Sequence, residues 1–449
     1  MKAREQINNS ILTNKQKVLN HYLPLFENED FEDMELIGNN HKVVATPIFI
    51  TREQNRIIND DLNKVMEILF QIPEISFGGD YESYFNELGF GEQVKEVLHK
   101  YKFRKQHLNL LRPDCIYDGK NLKVLEFNIS SSLGGILTND IMGRVVHQDI
   151  MEKIGLLSEN KCEFFNVAEN LAKYLRKSVP EKEKIKLALL YKNERYEKLK
   201  SAIMLLKKLF EQTGMEVLPC DPSDLDYDGC LKLGNQVIDI AYRLFLWDFK
   251  EFGGGTTLQP LINAIDDNKV EFFVHVGSRM YSAKANLGLL SILEDSPKIS
   301  SSAREAIGRI IPWTRILEDQ GTMYKGRRID LIEYVAKNKD EFIIKPSVAA
   351  GGKDVIIGRD TSAGEWNALI EKNSASRNLV VQEFYKAAQL KLPIVYSKEK
   401  DVRIEDLQCL FSPFLIDGRV EGYFVRCQGT DNKIINLAYG AISTCAVLI

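Results

Sequence analysis

The sequence is poor in the residue patterns that metal-thiolate proteins and nucleophilic enzymes depend on. Its 449 residues include seven cysteines and six histidines, and none of them stands in C-x-x-C, H-E-x-x-H or H-x-x-x-H spacing. Neither a zinc ribbon nor a disulfide framework is indicated, and we expect reduced, mostly buried thiols. The G-x-x-x-x-G-K-[ST] order of a P-loop is also absent, so a Walker-type nucleotidase fits poorly.

Long apolar runs and strong net charge are lacking as well. No run approaches the roughly 18 apolar residues that a membrane helix needs, and the amino terminus has no signal-peptide core, so we expect a cytoplasmic protein without a membrane partner. The net charge is -4, with both signs interspersed, which gives no reason to expect a nucleic-acid partner. The length allows two or three lobes, each with its own core.

The segment 111–128 predicts two short strands joined by a turn, with polar side chains at every second position. These side chains are Arg112, Asp114, Glu126 and Asn128. A three-residue turn at 119–121 would set Asp114 opposite Glu126 and Arg112 opposite Asn128. Two carboxylates and an amide oxygen suit Mg²⁺ that bridges nucleotide phosphates, and a guanidinium suits a developing anion. The alternative is an exposed hairpin whose polar face meets water.

A second polar patch lies at 340–358, which predicts a strand, a glycine-bearing loop and another strand. Lys345 ends the first strand, and Gly351 and Gly352 follow in the loop. Backbone N–H groups of such a loop can approach an anion closely, so the patch predicts a lid over polyphosphate. The alternative is a hairpin with a mobile glycine turn.

A third segment, 378–384, predicts a buried strand that ends in polar residues. Its end offers backbone groups to an adenine edge, and Gln382 or Glu383 could add a side-chain contact to the base or ribose. A strand that runs into a solvated loop would look the same.

Residues 185–218 predict a strand, an amphipathic helix and a second strand, which form a β-α-β unit. With a further strand at 237–242, this unit predicts a small parallel sheet whose ligands lie beyond the carboxyl ends of the strands. Arg243, Trp247 and Asp248 would then lie near a cleft. The alternative is that the aromatic residue only caps a core.

Taken in order, these patches resemble the ATP-grasp superfamily in its circularly permuted form, and specifically the synthetase domain of glutathionylspermidine synthase. The chain has an R-x-D element at 112–114 and an L-E-x-N element at 125–128, both before the lid. The aromatic segment 240–248 and the S-x-K-A segment 282–290 are similar to two further family elements. The resemblance spans about residues 105–449. The chain departs from the family in lacking an Arg in the lid loop and in lacking the amidase domain.

The resemblance implies an ADP-forming, ATP-dependent carboxylate-amine ligase that acts through an acyl phosphate. It implies the following roles: Mg²⁺ binding by Asp114, Glu126 and Asn128; phosphate binding by Lys284 and Lys345; a lid at Gly351 and Gly352; base or ribose contacts by Gln382 and Glu383; and stabilisation of the acyl-phosphate and tetrahedral species by Arg112. The acid and amine stay open among peptides, amino acids, polyamines and acyl groups on a carrier protein. Two alternatives are an ATP-dependent phosphotransferase and a non-catalytic nucleotide-binding protein of the same fold.

The expected fold is α/β (α+β), of the permuted ATP-grasp type. We expect a mainly helical region at 1–108, and the metal-binding hairpin with its following helices at 109–180. A β-α-β lobe on the substrate side should occupy 181–265, and the nucleotide-binding lobes 266–449. The oligomeric state is not predicted.

Overall fold

The computed structural model describes residues 2–28, 41–101, 110–156, 162–247, 256–348, 354–374, 376–430 and 434–449. Both predicted lid glycines, Gly351 and Gly352, and also Asp248 lie outside the described residues. In the described ranges the chain has a mixed α/β fold, with helices packed on several sheets. The expectation of mixed helix and sheet is confirmed.

Helices fill much of the first hundred residues and recur between the later strands. In chain order the helices are α1 Lys2–Thr13, α2 Lys15–Tyr22, α3 Arg52–Phe77, α4 Tyr81–Leu88, α5 Glu92–Tyr101, α6 Ile136–Asp140, α7 Gln148–Lys153, α8 Val167–Lys177, α9 Tyr196–Glu211, α10 Gln259–Asp266, α11 Ala285–Leu293, α12 Ser301–Ile310, α13 Leu331–Lys337 and α14 Ala363–Asn373. A π-helical segment, Ile141–His147, joins α6 to α7. None of the helices in the described ranges has the length and apolarity that crossing a membrane requires.

The strands are short except in one large sheet. In chain order they are β1 Lys42–Val44, β2 Ile48–Ile50, β3 Leu110–Tyr117, β4 Leu122–Ile129, β5 Glu163–Phe164, β6 Ile185–Leu190, β7 Met215–Cys220, β8 Leu225–Tyr227, β9 Leu231–Leu233, β10 Gln236–Val237, β11 Ile240–Arg243, β12 Glu271–Phe273, β13 Thr314–Ile316, β14 Gly321–Tyr324, β15 Arg327–Asp330, β16 Phe342–Pro346, β17 Ile356–Ile357, β18 Leu379–Glu383, β19 Gln389–Tyr396, β20 Asp401–Ile416, β21 Arg419–Gly429 and β22 Ile442–Leu448.

The large sheet carries the polar hairpin. Its main path runs β1-β19-β20-β21-β22-β2, and it is antiparallel except where β2 pairs with β22. The long strand β20 pairs with β21 along one edge, and with β19 and then β3 along the other. The hairpin of β3 and β4 is therefore attached to the middle of the sheet. The last strand of the sheet is β22, which follows a 3-10 turn at Leu437–Tyr439.

The β3–β4 hairpin pairs as predicted at its polar end. Asp114 lies opposite Glu126, and Arg112 lies opposite Asn128. The predicted three-residue turn is wrong. The last pair of the hairpin is Tyr117 with Leu122, so four residues, 118–121, connect the strands.

A β-bulge at Leu125 reconciles the longer turn with the predicted pairing. Asp114 pairs with Glu126, but the next residue, Cys115, pairs with Val124, so Leu125 is the extra residue of β4. Without the bulge, the four-residue connection would set Glu126 opposite Pro113. A shift of one residue turns a side chain to the other face of a sheet. The bulge therefore keeps the four polar side chains on one face.

A four-stranded parallel sheet, in the order β12-β11-β6-β7, confirms the predicted β-α-β unit. Five of the six residues of β6 are buried, as expected of a parallel strand that is covered on both faces. The strand predicted at 237–242 begins at Ile240 and ends at Arg243, whose side chain is buried. The carboxyl edge of this sheet faces the polar hairpin, since Tyr242 donates its hydroxyl to the carbonyl oxygen of Ser131.

A small antiparallel sheet, in the order β13-β18-β16-β17, carries Lys345. Phe342 and Ile344 of β16 pack in a core with Trp366. Since side chains alternate along a strand, Lys345 points to the opposite face. That face lies against β4, where Lys345 meets the backbone of Leu125.

Candidate active site

The carboxylate of Asp114 lies buried between two guanidinium groups. Its Oδ2 is 2.8 Å from Arg426 Nη2, and its Oδ1 is 3.4 Å from Arg112 Nε. Ser412 donates its hydroxyl to Oδ1 at 2.8 Å. Burial alone would raise the pKa of Asp114, but Arg426 and Arg112 outweigh burial and lower this pKa to about 2. The carboxylate therefore stays ionised throughout the neutral range.

The two arginines share one aromatic support. The guanidinium carbons of Arg112 and Arg426 lie 5.5 Å and 5.1 Å from the ring centre of Phe424. Arg112 also donates from Nη1 to the carbonyl oxygen of Gly134 at 2.7 Å. The next residue, Gly135, has φ of 88°, and a Cβ there would lie 2.4 Å from Cγ of Phe424. Only glycine at position 135 avoids a clash with the Phe424 ring.

A Gly135→Ala protein is expected to be less stable by about 2 to 4 kcal/mol, because left-handed strain and displacement of Phe424 add together. Its arginines should also bind anions less well. Gly119→Ala is the matched control, because Gly119 has φ of 104° with nothing within 4 Å of its Cβ position. Urea unfolding of both proteins measures the difference. Equal losses in the two would show that the contact with Phe424 is unimportant.

Two lysines from distant parts of the chain converge on Glu126. Lys284 Nζ is 3.0 Å from Glu126 Oε2. Lys345 Nζ donates to Gln382 Oε1 at 2.8 Å and to the carbonyl oxygen of Leu125 at 3.4 Å. Burial lowers the pKa of Lys345 to about 7; the charge of Glu126 opposes this shift and that of Lys284 adds to it. The predicted metal carboxylate and both predicted phosphate lysines thus form one electrostatic cluster.

The two polar residues that end β18 differ in their surroundings. Gln382 is fully buried, and it donates from Nε2 to Thr314 Oγ1 at 3.0 Å while it accepts from Lys345. It therefore holds the Lys345 ammonium in place. The carboxylate of Glu383 contacts Lys325 at 2.9 Å, Tyr324 at 3.2 Å and Tyr385 at 3.1 Å. A contact of either residue with a base or ribose stays a prediction.

A pocket with about 800 Å³ of empty space, part of it open to solvent, lies over the hairpin. Four predicted residues line it: Arg112, Glu126, Asn128 and Lys284. Residues not predicted for the site also line it, among them Ser130, Ser132, Leu246 and Arg279. Lys345 is buried and is not among the lining residues.

The oxygen donors of the hairpin are chemically suited to a divalent cation, but cations of the protein already engage them. Asp114 contacts Arg112 and Arg426, and Glu126 contacts Lys284. In the part of the chain that the structure describes, no group of three or more His, Cys, Asp or Glu could hold a metal ion. Buried Asn128 Nδ2 has no hydrogen-bond partner among the described residues. The donor set therefore fits Mg²⁺ only together with further oxygens, such as those of a phosphate ligand.

Arg426 and Ser412 were not predicted, although they complete the surroundings of Asp114. The signal in the sequence is a cation in the middle of the apolar strand β21, where a buried charge requires a partner. The identity of that partner depends on the pairing of β20 with β3, which the local sequence does not reveal.

Comparison with solved structures finds a protein with a similar fold. The fold matches that of a glutathione synthetase-like effector. That protein, from Globodera pallida and solved in its apo form, superposes with a TM-score of 0.60 over 94% of this chain and 96% of its own, at 12% sequence identity. A second structure, provisionally described as a gamma-glutamylcysteine synthetase from Methylobacillus flagellatus KT, has a TM-score of 0.44 and 14% identity, with 89% of each chain covered, and is too distant to support an argument.

No protein-family profile matches the chain, and no curated protein matches it significantly. At 12% identity the likeness to the effector concerns the fold alone. The circularly permuted order stays a prediction from the sequence.

Proposed function

We propose that this protein is an ATP-dependent carboxylate-amine ligase with an ATP-grasp type of site. The observation that carries the proposal is the meeting of Lys284, from the start of α11, and Lys345, from the small sheet, at Glu126 of the polar hairpin. Two lysines near one carboxylate, two of these three groups lining an open pocket, suit a triphosphate with its metal ion. The likeness to a glutathione synthetase-like effector agrees with this proposal at the level of the fold.

The residues of the site match what such a reaction needs. A substrate carboxylate attacks the γ-phosphorus of ATP, ADP leaves, and an amine then displaces phosphate from the acyl phosphate. No protein nucleophile takes part, so charge neutralisation and alignment account for catalysis. Lys284 and Lys345 would bind phosphate oxygens, and Arg112, which is held by Asp114 and Gly134, would bind the negative charge that develops on the acyl phosphate and the tetrahedral species.

Asp114, Glu126 and Asn128 would hold Mg²⁺, which when bound neutralises phosphate charge and polarises the P–O bonds. Lys284 would have to release Glu126 for this, and the phosphates give Lys284 an alternative anion to bind. We therefore expect Mg²⁺ without nucleotide to bind weakly.

The deciding experiment mixes the protein with Mg-ATP and pools of acids and amines, and follows ADP, phosphate and new masses. A ligase releases ADP and phosphate in equal amounts only when both an acid and an amine are present. A stable phosphorylated product without an amine would instead identify a phosphotransferase. The absence of any thermal shift with Mg-ATP would contradict nucleotide binding altogether.

Nucleotide binding is expected to weaken as the pH rises above 7. The pKa of Lys345 is about 7 before ligand binds, so the cation that a phosphate needs is lost as the pH rises through that value. At pH 8 the complex should then hold one more proton than the separate partners, and affinity should fall by up to about tenfold per pH unit. Calorimetry in two buffers of different ionisation enthalpy measures the proton uptake.

Lys345→Arg is the control for this pH dependence. Its guanidinium stays protonated up to a pH of about 12, so proton uptake at pH 8 should disappear. Uptake that persists in the Arg protein would assign the titration to another group.

A further inference from the structure

Some cationic side chains that line the pocket contact an acidic side chain, and another does not. Arg112 contacts Asp114, and Lys284 contacts Glu126. Arg279 lines the same pocket, but no hydrogen bond or ion pair joins it to any other described residue. Burial lowers the pKa of Arg279, with no acid opposing the shift. A half-buried guanidinium in such a place is unfavourable until an anion reaches it.

A second arginine makes this part of the pocket more positive. Arg243 is buried, and burial lowers its pKa to about 10; Tyr242 opposes that shift, and the nearby charge of Arg279 adds to it. Its guanidinium carbon lies 5.8 Å and 5.9 Å from the ring centres of Trp247 and Phe272. Its Nη1 donates to a backbone carbonyl, while its Nε has no hydrogen-bond partner among the described residues. Two neighbouring cations therefore lack a described carboxylate partner.

These arginines lie where a parallel sheet offers a ligand site. Arg243 ends β11, and Arg279 lies in the 3-10 segment Val276–Ser282, shortly after β12. Ligands of parallel sheets bind beyond the carboxyl ends of the strands. Arg112 and Lys284, which would bind the reacting groups, line the same pocket from β3 and from the start of α11. Arg279 therefore lines the same pocket as Arg112 and Lys284, whereas buried Arg243 is not among the lining residues.

We propose that Arg279, with Arg243 behind it, binds a carboxylate of the acid substrate other than the one that reacts. The inference rests on the proposed ligase function, and it narrows the acid to a compound with at least two carboxylates. A guanidinium binds a planar carboxylate through two parallel hydrogen bonds. Ser130 and Ser132, which also line the pocket and whose hydroxyls contact each other at 2.9 Å, carry hydroxyls for the remaining oxygens.

The test measures ligand binding to the ATP-free protein, so that its outcome is separate from that of the ATP reaction. Glutarate, with two carboxylates, is compared with butyrate, with one, and with inorganic phosphate, at constant ionic strength. Melting temperature against concentration gives each dissociation constant. We expect glutarate to bind about tenfold or more tightly than either of the others. The charge-assisted hydrogen bonds between Arg279 and the second carboxylate should strengthen binding by about this factor.

Arg279→Gln should remove the preference for glutarate, and Arg279→Lys should restore part of it. Arg195→Gln, at an exposed arginine, is the matched control and should keep the full preference. Equal binding of glutarate and butyrate, or of glutarate and phosphate, would overturn the proposal. The proposal would also be overturned if the Arg279→Gln and Arg195→Gln proteins had the same preference for glutarate.

The melting temperature without ligand provides a second check. Arg279→Gln should melt at the same temperature as the parent protein or higher, since it removes a cation that lies beside Arg243. A melting temperature lower by several degrees would show that the folded protein already neutralises Arg279, and would also overturn the proposal.

Discussion

A Lys345→Met protein is expected to bind nucleotide more weakly and nevertheless to unfold at a higher temperature than the parent protein. The fall of this lysine's pKa from 10.5 to about 7 measures how strongly the fold disfavours the cation, roughly 4 to 5 kcal/mol below pH 7 at 1.36 kcal/mol per pKa unit. Met cannot donate a hydrogen bond to Gln382 Oε1, and the loss of this bond reduces the gain in stability by about 1 to 3 kcal/mol. The net gain is about 1 to 4 kcal/mol at pH 6.

The stability gain has a defined pH dependence. The folded protein gives up the lysine's proton near pH 7, whereas the unfolded chain keeps it to about pH 10.4. The destabilisation by Lys345 is therefore full below pH 7 and declines as the pH rises toward 10, so the advantage of the Met protein should shrink over the same window. Urea unfolding at pH 6 and pH 9 measures this directly.

Nucleotide affinity should change in the opposite direction. The missing charge-assisted hydrogen bond should weaken Mg-ATP binding by about 10- to 100-fold. Lys95→Met is the matched control, because the Lys95 side chain is equally buried but pairs with Glu82 and Glu92. It should leave nucleotide affinity unchanged and should not raise stability. A Lys345→Met protein that binds Mg-ATP normally would remove the basis of the proposed function.

An Arg112→Ala protein is expected to bind Mg-ATP normally and to turn over about 10²- to 10³-fold more slowly, a loss of about 3 to 4 kcal/mol at the transition state. The guanidinium would act on charge that develops during the reaction, so the loss should fall on kcat. Asp114 would retain Arg426 and Ser412, each at 2.8 Å, so the fold should persist.

Steady-state kinetics at saturating ATP, together with the nucleotide dissociation constant, separate these effects for Arg112. Arg112→Lys should recover only part of the rate, because an ammonium lacks the planar pair of donors. Unchanged turnover of the Ala protein on its true substrates would contradict the role assigned to Arg112.

The local sequence was sufficient to predict the parts of the site that lie on one hairpin. Side chains alternate along strands, so the spacing of the polar residues within each strand indicated which of them share a face. Which residues lie opposite each other depended on the bulge at Leu125 as well. The β-α-β unit was also predicted from local pattern, because β6 is apolar apart from Lys186 and α9 is amphipathic.

The rest of the site depends on contacts between distant residues, which local pattern does not encode. Asp114 and Ser412 are 298 positions apart, and their contact exists only because β20 pairs with β3. The bulge at Leu125 depends on a balance between turn length and burial of the hairpin face. For Gln382 the sequence indicated a polar strand end, whereas the three-dimensional contacts show a buried group that holds Lys345.

The pairing of Asp114 with Arg426 bears on how the protein forms during translation. The ribosome makes Asp114 long before Ser412 and Arg426, and at about 5 to 20 residues per second the delay is tens of seconds. Throughout that interval the nascent hairpin has no access to β20 or β21, so it cannot bury its carboxylate without a counter-charge. Chains that stop before residue 400 should accordingly be held by chaperones or degraded, and substrate recognition should arise only after β21 has left the exit tunnel.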